Sequence, residues 1–380
     1  MLTRQVHRMA LMARSSLAPR AMQLRYSSGA IDPLPARQFP SSGFPIIAPS
    51  AKVEEERLPF YKSAEYYPMR LALAASCTSI ANPSFFLSHH KHRVLKVHTN
   101  SSSFQHELRV YQHLASVDGE HPGREHIRQI EDSFVLDGPN GQHEVYVMIP
   151  LGMSLQSLQE KQKHGIFELG LVKSALVQVL PALEFLHVAG VVHTDLHSDN
   201  LLIAMIDDSI PGKVEEEEIR DPSARKQVGD LITYVSRYIS GGPGPVTICD
   251  LGQARIGSEH TGIAMPIQYR APEIILDTNW SYPVDCWSIG HLTWDFIEQK
   301  SIFPIYDAAS EENNNAHHLA AMVALLGPPP LQFLKRTPDA TKYWDQNGEL
   351  RPSPNLDKLN ILIHHLVRSS LDTASLRRAR

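Results

Sequence analysis

Cysteine is nearly absent from this sequence. Its 380 residues include three, Cys77, Cys249 and Cys286. They are too scattered and too odd in number for a disulfide framework or a cysteine-based zinc site, and such usage suits a reducing compartment. Positive charge is not in excess either. The formal net charge is −5, which leaves no electrostatic footprint for direct nucleic-acid binding. No apolar run approaches the roughly 20 residues that cross a bilayer, so no membrane span is expected. Two local absences carry more information. Residues 1–31 contain no Asp or Glu, and residues 71–93 contain no Gly.

The first absence coincides with five arginines, Arg4, Arg8, Arg14, Arg20 and Arg25, set among Leu, Met and Ala. Arg25-Tyr26-Ser27-Ser28 resembles a matrix-protease cleavage site, and residues 1–31 are expected to be a mitochondrial transit peptide. Residues 32–57 are rich in Pro, Ser and Gly, then acidic at Glu54-Glu55-Glu56, and read as a linker. With 42% hydrophobic and 20% charged residues, the remainder is globular and long enough for two lobes.

The chemistry concentrates at Val191–Ile203, VVHTDLHSDNLLI. An apolar lead-in delivers Asp195; Asn200 follows five positions on, and a second apolar run closes the loop. A carboxylate that accepts a hydroxyl proton, followed by an amide oxygen that holds magnesium, is the layout of a phosphotransferase loop. Upstream, Arg93–Val97 reads as a short strand carrying Lys96. Phe104, Leu108, Tyr111 and Leu114 fall at helical spacing around Glu107. A strand lysine paired with a helix glutamate positions nucleotide phosphates. Val145–Met148 reads as another strand, leading to Ile149-Pro150-Leu151-Gly152, where backbone groups can bond an adenine ring.

Beyond that connection, Leu169, Val172, Leu176, Val179, Leu180, Leu183 and Leu186 recur every three or four residues and predict a helix buried on one face. Pro181 should kink it or cost hydrogen bonding, and Gly190 stops it. Residues 207–245, with the acidic run Glu215–Glu218 and a Gly/Pro-rich end, read as an insertion outside the core, its acids solvated. A β-rich approach, Val246–Cys249, ends at Asp250, with Gly252 two positions on, so that its carboxylate can face metal-bound phosphates. Ala271-Pro272-Glu273 and Asp285-Cys286-Trp287-Ser288 follow in order.

This order of motifs resembles the eukaryotic protein kinases over roughly residues 58–335, and within them the SR-protein kinase group of fungi. His193-Thr194-Asp195, the insertion before Asp250, Tyr269–Glu273 and the stretch His317–Pro330 carry the likeness. The resemblance implies an α+β, two-lobed fold: a small β-rich lobe over 58–150 and a large helical lobe over 151–370. It implies ATP and magnesium as cofactors and a protein substrate with serines beside arginines, acted on by a monomer. It also implies a nuclear or cytoplasmic location, which conflicts with the transit peptide. Asp195 would be the catalytic base, and Asn200 and Asp250 the magnesium ligands. Lys96 would hold phosphates and Glu107 would orient it, while Met148, Ile149 and Leu151 would line the adenine site. Thr194 stands where an arginine usually grips a phosphorylated activation segment, which implies constitutive activity.

Three departures accompany the likeness. The Gly-rich hairpin that covers phosphates should precede Lys96, where glycine is absent. His197 replaces the lysine that neutralises the transferred phosphoryl group. The C-terminus shows no clear D-x-x-x-R segment to supply a partner for Glu273. A pseudokinase that keeps the fold is one alternative. A small-molecule kinase of the aminoglycoside or choline type is another, because its catalytic loop also reads His after Leu.

Overall fold

The computed structural model describes residues 39–58, 60–68, 92–101, 105–207, 209–229, 231–237, 239, 244–307, 309–335, 337, 339–348 and 350–351. The transit-peptide expectation (1–31), the glycine-free stretch up to residue 91 and the C-terminus after 351 lie outside the described residues.

The small lobe begins with β1 (Val94–Val97), then α1 (His106–Ser116), β2 (Ile130–Gly138) and β3 (Gly141–Met148). β1 and β2 both pair antiparallel with β3, giving the order β1-β3-β2. The β2–β3 hairpin turns at Pro139-Asn140 before Gly141, whose φ of 138° is closed to most side chains. α1 buries Glu107, Val110, Tyr111 and Leu114; of the residues at helical spacing, Tyr111 and Leu114 are buried, Leu108 is half-buried and Phe104 lies outside the described residues.

The large lobe opens with β4 (Leu151–Ser154) and α2 (Leu155–Glu160), whose first turn is capped by Ser154 accepting from the Ser157 N–H. α3 (Leu169–Val188) is the predicted core helix, with Val172, Val179, Leu183 and Leu186 buried while Leu169 and Leu180 stay exposed. It runs through Pro181 without a break. Proline removes the hydrogen bond to the carbonyl four residues back, and Val177 there is 72% exposed, so water can satisfy that carbonyl. By length and composition α3 is apolar enough to cross a membrane, contrary to the expectation of no such run. Here its buried face belongs to the core that joins both lobes.

Gly123 fixes how the small lobe rests on α3: a Cβ there would lie 1.8 Å from the Pro181 carbonyl oxygen. Beyond α3 come β5 (Val191–Val192), β6 (Leu201–Ala204), an inserted helix α4 (Ser209–Arg220), an inserted hairpin β7 (Arg225–Val228) and β8 (Leu231–Tyr234), then β9 (Val246–Ile248) and β10 (Arg255–Ile256). β4, β6 and β9 form one antiparallel sheet, and β10 pairs with β5. The short α5 (Pro272–Ile275), α6 (Pro283–Ile297), α7 (Glu311–Leu326) and the short helices α8 (Leu331–Lys335) and α9 (Ala340–Tyr343) follow.

Two expectations need correction. The acidic run of the insertion is not solvated throughout: Glu216 and Glu217 are exposed, but Glu215 and Glu218 are not. Helical geometry turns Glu215 and Glu218 inward, at 4% and 0% exposure. Glu218 accepts from the Ser223 N–H and the Arg237 guanidinium and faces Arg225. Nor are residues 44–57 a free linker. Ile47 donates its N–H to the Arg225 carbonyl, the Arg225 N–H donates to Pro45, and Arg225 stacks on Phe44. The Lys226 ammonium meets Glu56 at 2.8 Å, and Glu54 accepts from the Ser236 N–H and hydroxyl. The two segments fold together: Lys226, buried in the insertion, takes its carboxylate from Glu56 of the other.

Candidate active site

β1 and α1 bring Lys96 and Glu107 together. The ammonium donates to both carboxylate oxygens, at 2.9 and 2.8 Å, and lies 3.2 Å from Asp250 Oδ1. All three groups are buried. Burial pulls the Lys96 pKa down, but the charges of Asp250 and Glu107 more than offset it and leave it above the usual lysine range. Lys96 therefore stays charged. His98 lies beside the pair, its Nε2 3.5 Å from Glu107 and its ring on Tyr146.

The catalytic loop is held from beneath by Asp285, at the start of α6. Its carboxylate, fully buried, accepts from the backbone N–H groups of His193 and Thr194 at 2.8 Å each and from His187 Nε2 at 2.9 Å. Thr194 needs this support. Its φ of 66° is left-handed, a costly region for a β-branched residue. Its hydroxyl adds a bond to the Gln253 carbonyl. His193 accepts the Asp195 N–H at Nδ1, so Nε2 carries the proton and donates to the Cys249 carbonyl. Burial, above all, holds this histidine below its ordinary pKa, in the neutral form that the network requires.

Asp195 itself is 5% exposed. Asn200 Nδ2 donates to its carbonyl at 2.8 Å and lies 3.5 Å from its carboxylate. Burial, and then the charge of Asp250, push the Asp195 pKa up to about 8. A buried carboxylate beside a second one, here Asp195 beside Asp250, forms a site that favours cations. The Cys249 N–H donates to the Asn200 carbonyl, so that Asp250 begins beside the loop. Asp250 has a φ of 63° and accepts the Gly252 N–H at 3.2 Å. His197 sits against the loop, its Nε2 3.6 Å from Asp195 Oδ1 and 3.2 Å from Asn200 Nδ2.

Lys96, Glu107, Asp195, Asn200 and Asp250 thus converge. Met148 is buried at the end of β3, Ile149 is 56% exposed, and Leu151 begins β4. Glu273 has no cationic partner among the described residues, and burial raises its pKa. Arg270 bonds Glu311 instead, at 2.6 Å. Asp285-Cys286-Trp287-Ser288 marks Asp285 in the sequence without showing what it holds. No motif gives a signal for Arg128 or His187.

The protein kinase domain model matches residues 91–368. A serine/threonine protein kinase of Aspergillus fumigatus is 36% identical over 334 residues, covering 83% of this chain and 82% of that protein. The serine/threonine-protein kinase SRPK of Physarum polycephalum is 28% identical over 286 residues, covering 68% and 66%. Protein kinase dsk1 of Schizosaccharomyces pombe is 25% identical over 347 residues, covering 67% and 63%. A catalytic loop strung from a buried aspartate, a charged Lys–Glu pair and relatives of this kind have one common meaning: the chain belongs to the protein kinase domain family, as a serine/threonine protein kinase resembling the SRPK group.

Proposed function

We propose that the chain transfers the γ-phosphoryl group of ATP to serine hydroxyls in Arg/Ser-rich protein segments. The observation that supports this best is the Lys96–Glu107–Asp250 contact beside Asp195 and Asn200. Protein kinases use ATP with magnesium, and the residues present suit that ion. An amide oxygen and a carboxylate are hard ligands, and magnesium takes one or two of these plus phosphates rather than a full protein cage. Among the described residues no three His, Cys, Asp or Glu side chains gather to hold a metal by themselves. Asn200 and Asp250 would hold magnesium, which when bound neutralises phosphate charge.

The chain's own residues do the rest. Lys96, fixed by Glu107, binds the α- and β-phosphates. The Ile149 and Leu151 backbone groups, beside Met148, orient the adenine. Asp195 accepts the proton of the attacking serine hydroxyl; its raised pKa falls once cations offset Asp250. Specificity for serines beside arginines follows the resemblance to the SRPK group.

The test is phosphorylation of an Arg-Ser repeat peptide by the full chain with magnesium and ATP. Asp195→Ala should lower turnover at least about a thousandfold while nucleotide binding persists. Equal turnover by Asp195→Ala, or a wild-type chain that binds no nucleotide, sinks the reading.

A further inference from the structure

Among the described residues Arg128 is a buried cation without an anion. It follows the turn Arg124–His126 and donates its backbone N–H to the Ile248 carbonyl at 2.8 Å, against β9. Its side chain is turned inward and 5% of the residue is exposed. Nη2 donates to the Ile149 carbonyl at 3.4 Å, Nη1 lies 4.0 Å from Cys249 Sγ, and Nε has no partner. Among the described residues no carboxylate pairs with it.

Stability does not explain such a residue. An unpaired buried charge is destabilising, and an apolar side chain of similar volume is often neutral or better. What the guanidinium touches does explain it. Pro150 has no N–H, so the connection between lobes offers the Ile149 carbonyl, the Leu151 N–H and the Leu151 carbonyl. The Ile149 side chain points to solvent.

We propose that Arg128 is a positioning residue for base selection: by donating to the Ile149 carbonyl it fixes that peptide as an acceptor and so favours adenine over guanine. This rests on the reading of Ile149 and Leu151 as the nucleotide's backbone partners. The 6-amino group of adenine donates to a carbonyl, whereas the 6-oxo group of guanine meets it acceptor to acceptor. A carbonyl that is held cannot rotate away, so the mismatch keeps its full cost. Arg128 itself touches no nucleotide.

The experiment measures binding of magnesium-ATP and magnesium-GTP to the full chain by calorimetry for wild type, Arg128→Met and Arg128→Lys. Peptide turnover and the thermal midpoint without nucleotide are recorded alongside. Wild type should favour ATP. Arg128→Met should weaken ATP by about tenfold, the worth of one hydrogen bond, and narrow the ATP:GTP ratio similarly. Its kcat should stay within about twofold and its thermal midpoint should hold or rise, because an unpaired charge is gone. Arg128→Lys should recover part of the ratio. An unchanged ratio in a folded Arg128→Met overturns the inference alone. So does a loss of affinity that follows a fallen midpoint and is not rescued by lysine. A wild-type chain that binds neither nucleotide overturns the functional reading and this inference with it.

Discussion

Two carboxylates among the described residues are fully buried, and they hold opposite kinds of structure. Asp285 collects two backbone N–H groups and a histidine, and with them fixes the catalytic loop in a conformation that Thr194 would not adopt alone. Glu218 collects Ser223, Arg225 and Arg237, and with them closes the inserted hairpin on which residues 44–57 dock. The first spends a buried charge on backbone strain at the site of reaction. The second uses it to gather side chains far along the chain into an accessory layer. A buried acid therefore marks no function by itself; what it organises does.

The sharpest way to break that contrast is Asp285→Ala. It strands two buried backbone donors, each costing about 1–3 kcal/mol, so unfolding free energy should drop by about 3–5 kcal/mol. Turnover should fall at least about a hundredfold because Thr194 is released. Urea denaturation and peptide kinetics check both, and a folded variant with ordinary turnover would refute the role given to Asp285.

Acid separates the two regions next. His291 and His318 are each pushed down to about 3, foremost by burial, against an unfolded value near 6.5. Their folded pKa is depressed, so they stay neutral while the unfolded chain takes up protons. Stability is full above about pH 6.5 and is lost as pH falls towards 3. At pH 5 the expected loss is about 2 kcal/mol per histidine. For Glu56, burial raises the pKa, but Lys226 and the Val53 N–H more than offset this and lower it below 4.5. Its contribution is present above 4.5 and disappears only below that. Denaturation of the large lobe should therefore begin about two pH units above release of residues 44–57. Hydrogen exchange resolves the order, and simultaneous onset would refute it.

Glu218→Ala should cost about 2–4 kcal/mol, felt locally, since Arg225 loses its carboxylate and Arg237 keeps only Asp221. Exchange protection should vanish at residues 44–57 and 225–234 with kcat changed less than twofold. A collapse of kcat would tie the accessory layer to catalysis and dissolve the contrast. Glu56→Ala is the mildest: the Lys226 partner is lost at one edge, and about 1–2 kcal/mol of local protection goes with it.

How much of this was legible follows from the length scale of each feature. Asp195 and Asn200 lie five residues apart in one loop, a spacing that fits two phosphotransferase families; Ala271-Pro272-Glu273 and Asp285-Cys286-Trp287-Ser288 turned it towards protein kinases. The helix face of Glu107 and the core face of α3 followed from periodicity. The inward pair Glu215 and Glu218 was half legible. Their spacing of three puts them on one helix face, but only contact with Arg225 and Arg237 says that this face is buried. Asp285 was visible as a motif and invisible as an anchor, because its partners lie more than 90 residues earlier. Arg128 had no signal at all: one arginine among many becomes unusual only when its burial and missing carboxylate are seen.

By itself, then, the sequence determined the family's order of motifs and the main helices and strands outside the insertion, and it proposed the reacting groups, since periodicity, turn residues and motif spacing are local properties of the chain. Only the tertiary structure decided which charges are buried and with whom. That question depends on contacts between segments as distant as Lys96 and Asp250 or Glu56 and Lys226. Burial turns a charge from a solvated decoration into a strong constraint, and no linear pattern contains the dielectric around it.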